Sequence, residues 1–80
     1  MKKFVSKEAL CKILTDEIQK IDEFKLCKLS GVVKLQEPDS DGCNWSDSVT
    51  FSSNGIAKET YIPVVKKIIR DARLKYNLED

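Results

Sequence analysis

The segment Asp39-Ser40-Asp41-Gly42-Cys43-Asn44-Trp45-Ser46 gathers two carboxylates, a thiol, two amide or indole groups and two hydroxyls into eight residues. Several chemistries compete for it. Paired carboxylates such as Asp39 and Asp41 suit general acid–base work, but both fall in turn-forming sequence, where ordinary acidity is expected. Cys43 is a potential nucleophile. Its acidic neighbours Asp39, Asp41 and Asp47 disfavour an anionic sulfur, and the chain has no His to act as its base. Glu37, Asp39, Asp41 and Gly42 match the opening of an EF-hand loop. The position of the bidentate Glu would then be Ser48, and strand-like sequence follows instead of a helix, which argues against calcium.

Turn chemistry alone accounts for Asp, Ser, Gly and Asn here, with Trp45 as a core anchor at the start of a strand. The functional alternative exposes the aromatic and amide groups on a constrained turn. Asp39, Asp41, Cys43, Asn44, Trp45 and Ser46 then form a contact loop for another protein. The leading functional expectation is thus a small non-enzymatic binding or adaptor protein, with no catalytic residue, metal or cofactor.

A second set of residues is basic. On a helical wheel Lys66, Lys67, Arg70 and Arg73 lie together opposite an apolar stripe, with Lys58 just before the helix. Such a face neutralises phosphates and gives salt-sensitive affinity for nucleic acid. No aromatic residue interleaves the bases, and no helix-turn-helix spacing is present, so any such binding is expected to ignore sequence. The plainer alternative is a solvated helix face, which is usual for Lys and Arg. Arg73 stands near the helix C-terminus, where a cation suits the dipole, and can also reach an acid of the 39–46 loop.

Two helices and a hairpin must position these groups. Ser6 reads as an N-cap with Glu8 in the first turn, and Leu10, Ile13, Leu14, Ile18 and Ile21 recur at helical steps over about residues 6–21. Glu17 falls within that stripe and Cys11 at its edge. From Lys25 to Gln36 the period changes to two. Cys27, Leu29, Val33 and Leu35 share one face, and Gly31 marks a bulge or a close backbone approach. Pro38 and Asp41-Gly42 signal a turn. A second strand follows over about 44–52, with Trp45, Val49 and Phe51 on one face and Asp47 interrupting it. Tyr61, Val65, Ile68, Ile69, Ala72 and Tyr76 then form a second helical stripe over about 59–76. Pro63 favours a start near Thr60, and Asn77 suits a C-cap.

The expected fold is α+β in the order α-β-β-α, with both helices on one face of an antiparallel hairpin. A two-stranded hairpin is marginal by itself, and its open edges predict a homodimer or an added partner strand. Composition sets the outer bounds. Eighty residues, 41% hydrophobic and 34% charged, fit one soluble domain. No apolar run approaches the roughly 20 residues of a membrane span, and the basic start lacks the apolar core of a signal peptide. Three unpaired cysteines, Cys11, Cys27 and Cys43, point to a reducing compartment, the cytoplasm. The net charge of +1 hides an uneven layout. Residues 1–35 carry eight Lys against five acids, residues 36–57 four acids and no base, and residues 58–76 six bases against two acids.

Val33-x-Leu35-x-Glu37-Pro38-Asp39-x-Asp41-Gly42-Cys43-Asn44-Trp45-Ser46, followed by Ala72-Arg73 and Tyr76-Asn77-Leu78, resembles a set of short uncharacterised bacterial proteins. These share the Asp-Gly-Cys-Asn-Trp-Ser stretch and an Ala-Arg-x-x-aromatic-Asn-Leu helix end. The resemblance covers about Gly31 to Leu78, with the first helix matched only in kind. Its loop motif is fairly specific and its tail less so. The Lys-rich first helix and Pro63 are departures. It implies a bacterial origin and a single domain, and carries no activity to transfer.

Overall fold

A computed structural model describes residues 2–40 and 42–79. Asp41, one of the acids singled out above, lies outside the described residues. The chain begins with a short strand, β1 (Lys3–Val5), and enters helix α1 (Lys7–Gln19). Ser6 caps α1, its hydroxyl accepting from the Ala9 N–H at 3.1 Å, and Glu8 sits in the first turn. Leu10, Leu14 and Ile18 are buried along one stripe. Ile21 does not continue it. The backbone turns extended there and enters a 3-10 turn, Asp22–Phe24, that brings Phe24 into the core.

Strand β2 (Lys28–Gly31) pairs antiparallel with β3 (Thr50–Ser52), setting Lys28 opposite Ser52, Leu29 opposite Phe51 and Gly31 opposite Thr50. The register slips between Leu29 and Gly31, so the bulge expected at Gly31 is present. A Cβ on Gly31 would lie 3.3 Å from Thr50 Oγ1, and glycine permits that approach. Just beyond the bulge the faces of Val32 and Val33 are exchanged. Val32 is buried and Val33 is 55% exposed, the opposite of the alternation that placed Val33 with Cys27 and Leu29. Regular pairing is therefore shorter than the sequence suggests. It resumes at a single bridge between Lys34 and Trp45, flanked by the Leu35 N–H donating to the Asn44 carbonyl and the Ser46 N–H to the Val33 carbonyl, both at 2.8 Å.

The free edge of β2 is closed by α1. Thr15 Oγ1 donates to the Leu29 carbonyl and accepts from the Leu29 N–H, each at 3.1 Å, and Gln19 Nε2 donates to the Cys27 carbonyl at 2.9 Å. Helix side chains thus replace a third strand on that side.

Helix α2 (Lys58–Lys75) begins earlier than expected and leaves Pro63 in its second turn. Pro63 has no N–H for the Glu59 carbonyl four residues back. Val65, Ile69 and Ala72 bury its inner stripe. Tyr76 leaves helical geometry and acts as the C-cap, so Asn77 is not the cap that its type suggested. It belongs instead to strand β4 (Tyr76–Leu78), which pairs parallel with β1: Lys3 with Tyr76, Phe4 with Asn77, Val5 with Leu78. The fold is α+β, two helices with the β2–β3 hairpin, and the second sheet places residues 3–5 beside residues 76–78. Trp45, Phe24, Leu10, Leu14, Ile18, Leu78, Cys27 and Cys43 form the fully buried centre. Among the described residues, no helix is long and apolar enough to cross a membrane.

Candidate functional site

Residues 42–45 of the loop 39–46 fold inward onto β4. Asp39 organises its start. Its carboxylate accepts from the Cys43 N–H at 3.1 Å, its carbonyl from the Gly42 N–H at 2.9 Å, and its own N–H donates to the Cys43 carbonyl at 2.9 Å. Gly42 takes φ +79, a conformation that favours glycine. The chain then passes Cys43, whose thiol donates to the Trp45 carbonyl at 3.5 Å.

Asn44 pairs with Leu78 as a strand would. Its Nδ2 donates to the Leu78 carbonyl at 2.9 Å and its Oδ1 accepts from the Leu78 N–H at 2.7 Å. Asn77 answers from the other side. Its Oδ1 accepts from the Asn44 N–H and its Nδ2 donates to the Gly42 carbonyl, both at 3.1 Å. The Trp45 indole N–H donates to the Tyr76 carbonyl at 3.0 Å. The loop residues 42–45 and the stretch 76–78 at the helix end therefore hold each other.

Arg73 completes this clamp. Its Nε donates to the Trp45 carbonyl at 3.1 Å and its terminal amine pairs with the Asp39 carboxylate. Burial works against the charge, but the Asp39 hydrogen bond and the nearby Cys43 and Asp39 outweigh it, and the guanidinium pKa is pushed up. On the far side Lys2 Nζ donates to the Arg73 carbonyl at 2.7 Å, satisfying one of the last carbonyls of α2. The reach from Arg73 to a loop acid follows the sequence expectation.

The geometry corrects two parts of the contact-loop expectation. Trp45 and Cys43 have no exposed surface, and Asn44 is half-buried with its amide engaged. The reason is physical: the indole finds its acceptor on Tyr76 and its apolar body a place in the core. Asp39 and Ser46 are half-buried at the margin. The basic face is corrected as well. Lys66, Lys67 and Arg70 stand exposed on α2, in no ion pair among the described residues, whereas Arg73 turns away to Asp39 and Trp45.

The sequence reading missed a surface next to the clamp. Between β3 and α2 runs an open cleft of about 460 Å³. Val49 and Phe51 form its strand wall, Tyr61, Ile62, Val65 and Ile69 its helix wall, and Asp47 and Lys66 its rim. The Phe51 and Tyr61 rings meet across it with centroids 4.9 Å apart and planes tilted by 43°. The available signal was the placing of Val49, Phe51 and Tyr61 on apolar faces. Periodicity marks such residues as inward but does not separate a filled interior from a cleft that is half open. No protein-family model, curated protein or solved structure matches this chain.

Proposed function

We propose that the protein is a small non-enzymatic binding module whose contact surface is the β3–α2 cleft, held in shape by the adjoining clamp. The observation that carries this reading is the cleft itself. Val49, Phe51, Tyr61 and Ile62 remain half-buried side by side, while the interior residues of the clamp are fully covered. A grouped apolar surface rimmed by charge is a common form of contact site. In this reading the 39–46 loop serves binding indirectly: Arg73 fixes α2 to Trp45 and so sets the width of the cleft. A photo-crosslinking variant tests it, Ile62→p-benzoyl-phenylalanine against Lys12→p-benzoyl-phenylalanine on the exposed face of α1. Discrete adducts formed in the native host from position 62 and absent from position 12 support the reading. Equal capture from both positions, or none from either, removes it.

A second reading keeps the basic helix. Lys66, Lys67 and Arg70 are exposed and in no ion pair among the described residues, which favours contact with phosphates. Affinity for nucleic acid should then fall steeply with salt and disappear in the Lys66→Glu, Arg70→Glu double variant. Undetectable or salt-independent binding eliminates this reading.

A further inference from the structure

The outer edge of β3 is open. Leu29 turns both its backbone groups to Thr15, and Phe51 is its antiparallel partner, so the alternation of the ladder turns the Phe51 N–H and C=O outward. Neither group is in a hydrogen bond among the described residues. The Phe51 ring touches Tyr61, so this edge lies level with that residue of α2. Ile62 is the next residue, and Glu59 and Lys66 flank it three positions before and four after, on one stripe of the helix. Both charges are exposed and in no ion pair among the described residues.

We propose that the cleft is occupied by a second copy of this chain, related by a two-fold axis that passes beside Phe51. The proposal rests on the cleft being a contact surface. The two β3 strands add to each other antiparallel, and the Phe51 N–H donates to the carbonyl of the partner's Phe51 and the reverse. The hairpins become one four-stranded sheet, which relieves the marginal stability of a two-stranded one. The same axis sets the two α2 helices antiparallel at Ile62 and brings Glu59 against the partner's Lys66, twice. Any extended peptide could satisfy Phe51. A second copy also satisfies the charges, because opposite charges on the two sides of Ile62, about one turn away on each, are complementary to themselves under a two-fold rotation.

Sedimentation equilibrium of the full chain tests this together with a charge swap. The wild-type chain is expected to dimerise. Glu59→Lys and Lys66→Glu, both on the exposed helix surface, should each weaken the dimer by roughly tenfold, as reversal of two exposed ion pairs implies. The double variant Glu59→Lys, Lys66→Glu should recover most of the wild-type affinity. A monomer at millimolar concentration overturns the proposal, as does a double variant no tighter than the single ones. A monomer whose position-62 crosslinker still captures another protein overturns the second copy and leaves the binding reading standing. A monomer with no capture ends both.

Discussion

Asn44 uses both ends of its amide as a neighbouring strand would use its backbone. Asn44→Ala leaves the Leu78 N–H and carbonyl without partners and should cost about 2–3 kcal/mol in urea unfolding, from two lost hydrogen bonds. Asn44→Asp is nearly the same size, yet it sets an oxygen against the Leu78 carbonyl. It should be at least as damaging, which separates hydrogen bonding from packing. Cys27 gives a pH dependence. Its thiol is buried, donates to the Ser53 carbonyl at 3.3 Å, and burial pushes its pKa above the ordinary 9.0. The folded state therefore holds this proton more tightly than the unfolded chain does. The associated stability is present in full below the ordinary value and is lost as pH rises through the raised one. Unfolding midpoints of the wild type should fall as pH rises above about 9, and those of Cys27→Ala should fall less. An equal fall in both assigns the alkaline sensitivity elsewhere.

Among the elements, α2 carries the clearest local conflict, Pro63 in its second turn. Pro63→Ala returns a donor to the Glu59 carbonyl and removes the ring from the helix, at the loss of some rigidity in the unfolded chain. A net gain of about 1 kcal/mol is expected in thermal or urea unfolding. Both helices were legible because 13 and 18 residues repeat the apolar period several times. Strands β1 and β4 were not, since three residues each carry too little pattern to register. Val33 illustrates another limit. Its place on the inner face followed from strict alternation, and one slip at Gly31 handed the inner position to Val32. At the candidate site, composition marked the 39–46 loop as unusual but left its direction open. An indole N–H is satisfied equally by water, a partner or a carbonyl elsewhere in the chain, and the Tyr76 carbonyl is 31 residues away.

In the whole molecule the acidic middle segment and the basic second helix meet through Arg73 and Asp39, so the uneven charge layout has a structural outlet. The clamp also makes the last elements part of the core. A chain ending at Lys75 lacks the Tyr76 carbonyl for Trp45, both partners of the Asn44 amide and the buried Leu78. Such a truncation should lose cooperative unfolding in circular dichroism while keeping partial helix content. A sharp transition near the wild-type midpoint would contradict the role given to β4. The pairing of Lys3 with Tyr76 has a consequence in time as well as in energy. Contacts between residues so far apart in sequence form late and slow the search for the native state. During synthesis at about 5–20 residues per second, Val5 and Trp45 wait for seconds before their partners exist. Over that interval the open edge of β3 is available to any other strand in reach.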